Sequence, residues 1–130
     1  APPGAPGARV QAAVGGGSPT DLRKWPKSPI VTKFIGKAFA EAPATWAKAS
    51  PILYVSKDDP PVFLYNGAKD TLVEPDQMED MSKALSAEGI RVETHLIRRL
   101  GHLGAFLFDR GAISRSIDFL DEVLGGGKNP

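Results

Sequence analysis

The chain has 130 residues, 42% of them hydrophobic, a size that suits one packed domain or part of one. With 16 basic and 15 acidic residues the formal net charge is +1, so the charge points to neither nucleic acid nor an anionic membrane as partner. The sequence has no cysteine, which excludes disulfides, thiolate zinc sites and a cysteine nucleophile.

Residues 1–8 are rich in Pro, Gly and Ala and predict an irregular lead-in. The run Arg9-Val10-Gln11-Ala12-Ala13-Val14 predicts a short buried strand, ended by Gly15-Gly16-Gly17. Ser18-Pro19-Thr20-Asp21-Leu22 predicts a turn and a helix start, with Thr20 or Asp21 as the cap. Residues 23–50 predict a helical insert that Pro26 and Pro29 interrupt early. Within it, residues 30–41 predict one helix, with Ile30, Phe34, Ile35 and Phe39 as its apolar positions. Pro43 restarts a short helix through Trp46.

Pro61-Val62-Phe63-Leu64-Tyr65 is mostly apolar and bounded by turn residues, the pattern of a strand buried on both faces of a parallel sheet. Gly67 breaks it, and a short loop delivers Asp70. Glu74-Pro75-Asp76 opens a helix whose apolar face is Met78, Met81, Ala84 and Leu85 and whose stop is Gly89. Arg91-Val92-Glu93-Thr94-His95-Leu96-Ile97 alternates in polarity and predicts a strand nearer the sheet edge. Residues 98–104, with His102, predict a loop. Ile113, Ile117, Leu120 and Leu124 mark a last helix, ended by Gly125-Gly126-Gly127. Strands alternating with helices predict an α/β fold, a three-layer α/β/α arrangement on three parallel strands with right-handed crossovers.

Ligands and catalytic groups of parallel sheets collect at the carboxyl ends of strands, where Asp70 falls. The plain alternative for Asp70 is an Asx turn. His102 sits between Gly101 and Gly104, and its plain alternative is a loop histidine without a role. His95, mid-strand, reads as a structural or surface residue. Asp58-Asp59 beside Pro60-Pro61 reads as a turn before it reads as a metal pair. Met78 and Met81 read as core, and Arg98-Arg99 as solvated charge. Trp25, Phe34, Phe39 and Trp46 suit either an acyl or aromatic pocket or packing of the insert. Ser18 follows three glycines but has no base predicted beside it. No metal site and no cofactor is expected, and the glycine-rich phosphate fingerprints of nucleotide binding are missing. No apolar run is long enough to cross a bilayer. A first residue that is Ala rather than Met suggests a processed start or a cut within a longer protein.

Several of these stretches together resemble a known family. Ser50-Pro51, Tyr54-Val55-Ser56 and Asp58-Asp59-Pro60-Pro61 resemble the lead into the late strands of α/β-hydrolases, in the esterase and lipase branch that holds feruloyl and acetyl esterases. Gly67-Ala68-Lys69-Asp70-Thr71-Leu72-Val73 resembles that family's glycine-x-x-aspartate loop, and Gly101-His102 its histidine loop. Arg9-Val10-Gln11 and Ser18-Pro19-Thr20-Asp21-Leu22 resemble the strand and loop after the nucleophile's helix. The likeness runs from Arg9 to Leu124. It implies a serine hydrolase of carboxylic esters, with Asp70 as triad acid and His102 as triad base. Their separation, 102 − 70 = 32, has room for a helix, a strand and a loop.

The Gly-x-Ser-x-Gly elbow and the HGGG-type stretch are absent from this sequence. The resemblance therefore implies the C-terminal half of such a hydrolase, inactive alone. Its first strand would have lost a neighbour, so the implied partner is the N-terminal half of the same hydrolase, and next a second copy joined through the open sheet edge. The competing reading is a non-catalytic hydrolase-like binding or assembly module. A weaker one is a receiver or flavodoxin-like domain, for which five strands would be needed.

Overall fold

The computed structural model describes residues 9–125. The lead-in expected over residues 1–8, and Gly126 and Gly127, lie outside the described residues. Three strands form one parallel sheet in the order β1 (Ala13–Gly16), β2 (Val62–Gly67), β3 (Val92–Ile97). In register, Ala13 faces Val62 and Gly16 faces Tyr65, while Val62 faces Val92 and Gly67 faces Ile97. The carboxyl tips of β2 and β3 therefore end level with each other. Among the described residues no strand lies beyond β1.

Helices α1 (Pro29–Ile35) and α2 (Pro43–Lys48) lie between β1 and β2. Helix α3 (Asp76–Ala87) connects β2 to β3, and α4 (His102–Phe108) and α5 (Arg110–Val123) follow β3. Alternation along β2 sends its side chains to two layers. Leu64 packs with Met78 and Leu85 of α3. Phe63 meets the Phe119 ring of α5 with centroids 5.7 Å apart, and Tyr65 packs beside Ala105 and Ala112 of α4 and α5. Burial of each such large side chain stabilises the fold by roughly 1.5–3 kcal/mol. A third cluster, Leu22, Val31 and fully buried Trp46, holds the insert together, with Phe39 edge-on to the Trp46 ring.

Three boundaries and two apolar faces differ from expectation. The first strand lies over residues 13–16, so Gly15 and Gly16 belong to it and do not end it. A Cβ on Gly16 would overlap the Tyr65 ring, and one on Gly15 would meet Ser18 Oγ at 2.9 Å and Leu64 at 3.1 Å, so the two glycines let β1 pack closely against β2 and the turn that follows. Gly17, with φ 51°, makes the turn. The helix expected over residues 30–41 stops at Ile35, because Gly36 takes the left-handed conformation at φ 85°. Its expected apolar face is also turned: Val31 is buried, while Ile30 and Phe34 are exposed. Residues 102–104 begin α4 and do not continue the loop. In α5 the buried positions are Ala112, Ser116 and Phe119, and Ile113 and Ile117 are exposed.

Other expectations match. Asp21 caps the 3-10 turn at Leu22–Lys24, accepting from Arg23 N. The Arg23 guanidinium hydrogen-bonded to it holds the Asp21 carboxyl below the usual carboxylate range. Met78 is core. Asp59 accepts from Ser56 N at 2.9 Å, which is turn chemistry. His95 lies 3.6 Å from Asp109, the residue that caps α5 through Gly111 N and Ala112 N.

The insert is tied to α3 by a residue that sequence patterning passes over. Gln77 is fully buried. Its Oε1 accepts from Thr20 N at 2.9 Å and Asp21 N at 2.8 Å, and its Nε2 donates to Asp21 O at 3.1 Å. Replacing Gln77 with Leu keeps the bulk and leaves two buried amides without an acceptor. The expected result is a loss of about 2–4 kcal/mol in urea unfolding, several times that of an exposed substitution such as Glu79→Leu.

Candidate active site

Two short loops build the site. Because Gly67 and Ile97 face each other at the strand tips, the segments leaving β2 and β3 start side by side. They stay together through main-chain bonds: Ala68 N donates to Ile97 O at 2.9 Å, and Lys69 N to Leu100 O at 3.2 Å. The backbones approach so closely that a Cβ on Gly67 would collide with the Leu100 carbonyl. A Cβ on Gly101 would stand 3.1 Å from Lys69 O. Those two glycines are the local sequence reason that the loops can touch.

Asp70 ends the first loop with its side chain fully buried. Its Oδ1 accepts from Leu72 N and Val73 N, each at 2.9 Å. Its Oδ2 lies 2.7 Å from Nδ1 of His102. The Asx turn and the acid of a pair, posed as alternatives for Asp70, are thus one arrangement: one oxygen makes the turn and the other meets the ring. His102 is the first residue of α4, after Gly101 in extended conformation, and its side chain keeps 30% exposure. An imidazole with Nδ1–H on a buried carboxylate is held in one tautomer and one orientation, with Nε2 as the basic nitrogen. Such a pair can accept a proton at Nε2 and stabilise the cation that results.

Two residues of the acid loop, Leu72 and Val73, line an open apolar pocket of about 370 Å³ together with Leu22, Trp25, Val31 and Phe34 among others. Leu72 and Val73 are the residues whose amides hold Asp70, so the pocket wall and the acid loop share backbone. The far wall is clipped to the start of α3. Lys24 Nζ lies 2.6 Å from both Asp76 and Asp80, and Trp25 Nε1 donates to Glu74 at 2.9 Å. Trp25 and Phe34 face the pocket, whereas Phe39 and Trp46 pack inside the insert. Among the described residues no His, Cys, Asp and Glu cluster could hold a metal ion.

The BD-FAE family model matches residues 3–85. The chain belongs to the BD-FAE family. The match takes in Asp70 and stops before His102. Among solved structures, this BD-FAE chain is similar to a bifunctional GH43-CE protein of Bacteroides eggerthii, at 28% identity and TM-score 0.76, over 88% of this chain and 17% of that one. It is also similar in fold to a thermophilic esterase of Thermogutta terrifontis, at 21% identity and TM-score 0.67, over 92% of this chain and 44% of that one. A third is the Pyrococcus horikoshii acylaminoacyl peptidase, at 18% identity and TM-score 0.71, over 92% and 21%. This BD-FAE chain thus spans less than half the length of each of these structures. No curated protein matches its sequence. The three parallel strands and their flanking helices are those of an α/β-hydrolase sheet, and the domain is esterase-like.

Proposed function

We propose that this chain supplies the acid and the base of a serine hydrolase of carboxylic esters. Asp70 is the acid and His102 the base. The observation that carries the reading is the 2.7 Å contact between His102 Nδ1 and the buried Asp70 carboxylate at adjacent strand tips. His102 Nε2 takes the proton of a serine hydroxyl as its oxygen attacks the ester carbonyl. The imidazolium, stabilised by Asp70, returns that proton to the leaving alcohol. Water then hydrolyses the acyl-enzyme by the same base. The apolar part of a small ester fits the pocket between Trp25 and Leu72.

The serine and the oxyanion-hole donors come from the remainder of the hydrolase, which is the partner proposed for the β1 edge. A second copy of this chain joined through that edge is the alternative occupant. Exposed Ile113 and Ile117 on α5, and Leu124 just after it, add apolar surface for a covering partner. The test is hydrolysis of p-nitrophenyl acetate. The chain alone is expected to show no turnover above buffer, and the chain joined to a serine-bearing hydrolase portion is expected to turn over. Serine-dependent hydrolysis by the chain alone would overturn the division of labour.

A further inference from the structure

Asn66 is the penultimate residue of strand β2, just before the acid loop, and is 1% exposed. Its Nδ2 donates to Val73 O at 3.0 Å and to Gly67 O at 3.3 Å. Its Oδ1 is buried with no hydrogen-bond partner in the structure. A buried acceptor left unpaired is unfavourable, and such groups in native folds call for a reason. The amide is oriented by its donors: both hydrogens go to carbonyls of the 67–73 loop, so the oxygen is left facing the interior.

The loop explains the choice. Val73 gives its N–H to Asp70 Oδ1 and its C=O to Asn66 Nδ2. Gly67 O receives Asp70 N as well as Asn66 Nδ2. Asn66 therefore bolts together both ends of the segment that carries Asp70. We propose that Asn66 is a positioning residue for the Asp70–His102 pair, acting through the Leu72 and Val73 amides and never touching substrate. This inference rests on the acid–base reading of that pair. An aliphatic residue would avoid the unpaired oxygen but would release the loop, and a carboxylate would repel both carbonyls.

The test uses this chain and two variants, Asn66→Asp and Asn66→Ala. Proton NMR reads the downfield Nδ1–H resonance of His102, and amide exchange reads Leu72 and Val73. Asn66→Asp keeps the shape and loses the donors. It is expected to broaden or abolish the Nδ1–H signal and to speed exchange at Leu72 and Val73 about tenfold or more, with Phe63 and Leu64 amides unchanged. Asn66→Ala, which removes the side chain beyond Cβ, is expected to do the same, and it decides the matter if the Asp variant does not fold. In the assembled hydrolase the Asp and Ala variants are expected to lower kcat for p-nitrophenyl acetate about tenfold or more with KM unchanged. Unaltered Nδ1–H and amide exchange in both variants would overturn the role of Asn66 and leave the pair standing. A missing Nδ1–H signal in the unmutated chain would instead sink the pair itself.

Discussion

Replacing His102 with Ala in the assembled hydrolase is expected to lower kcat for p-nitrophenyl acetate by about 10⁴-fold or more, with KM little changed. The base is then gone, and only binding and oxyanion stabilisation from the rest of the enzyme remain. Asp70→Asn is expected to cost about 10⁴-fold by a different route. The amide can still accept from Leu72 N and Val73 N through its oxygen, so the turn survives. Its NH2 then faces His102 Nδ1 and favours the tautomer with the proton on Nε2, which cannot act as base. The double variant is expected to lose little beyond either single one, because acid and base work as a unit. Rates within threefold of the unmutated enzyme for either variant would remove the proposed roles.

Gly67→Ala is expected to damage the same site from outside it. The added methyl would meet the Leu100 carbonyl and must push the histidine loop away from the acid loop. The pair is set by a single 2.7 Å contact, and a shift of about 1 Å in such a site can cost 10²-fold in rate. The fold is expected to lose roughly 1–3 kcal/mol, since overlap with main chain cannot be relieved by a rotamer change. Gly89→Ala is the useful contrast. It has nothing within 4 Å of a Cβ but sits at φ 76°, so it is expected to strain a helix end and leave the ester rate unchanged. Thermal melts and kcat measured on both variants separate the two effects. A Gly67→Ala enzyme with full activity would show that the loops tolerate separation.

The residues that sequence reading passed over are instructive in chemical terms. Gln77 bonds to Thr20 and Asp21 across 57 and 56 positions of chain, and Asn66 closes a loop ending at Val73. Asn66 ends an apolar run, a signal that exists in the sequence but names no partner, whereas Gln77 stands among Asp76, Glu79 and Asp80 and carries no such signal. The exposed pair Ile30 and Phe34 misleads in the opposite direction. Their helical spacing describes an apolar face equally well whether it meets the core or the wall of an open pocket, and here they line the pocket.

The order of the strands, the parallel sheet and the loop that carries Asp70 follow from local patterns along this chain, whereas helix α4, which His102 begins, does not. Hydrophobic periodicity and turn residues act between neighbours, so they are legible one stretch at a time. What tertiary structure alone decided is distance. The contact between carboxylate and imidazole, the glycines that let two backbones meet, the turned face of α1 and the hydrogen bonds of Gln77 and Asn66 all join segments remote in sequence. They depend on register and close packing in three dimensions, which no run of consecutive residues encodes.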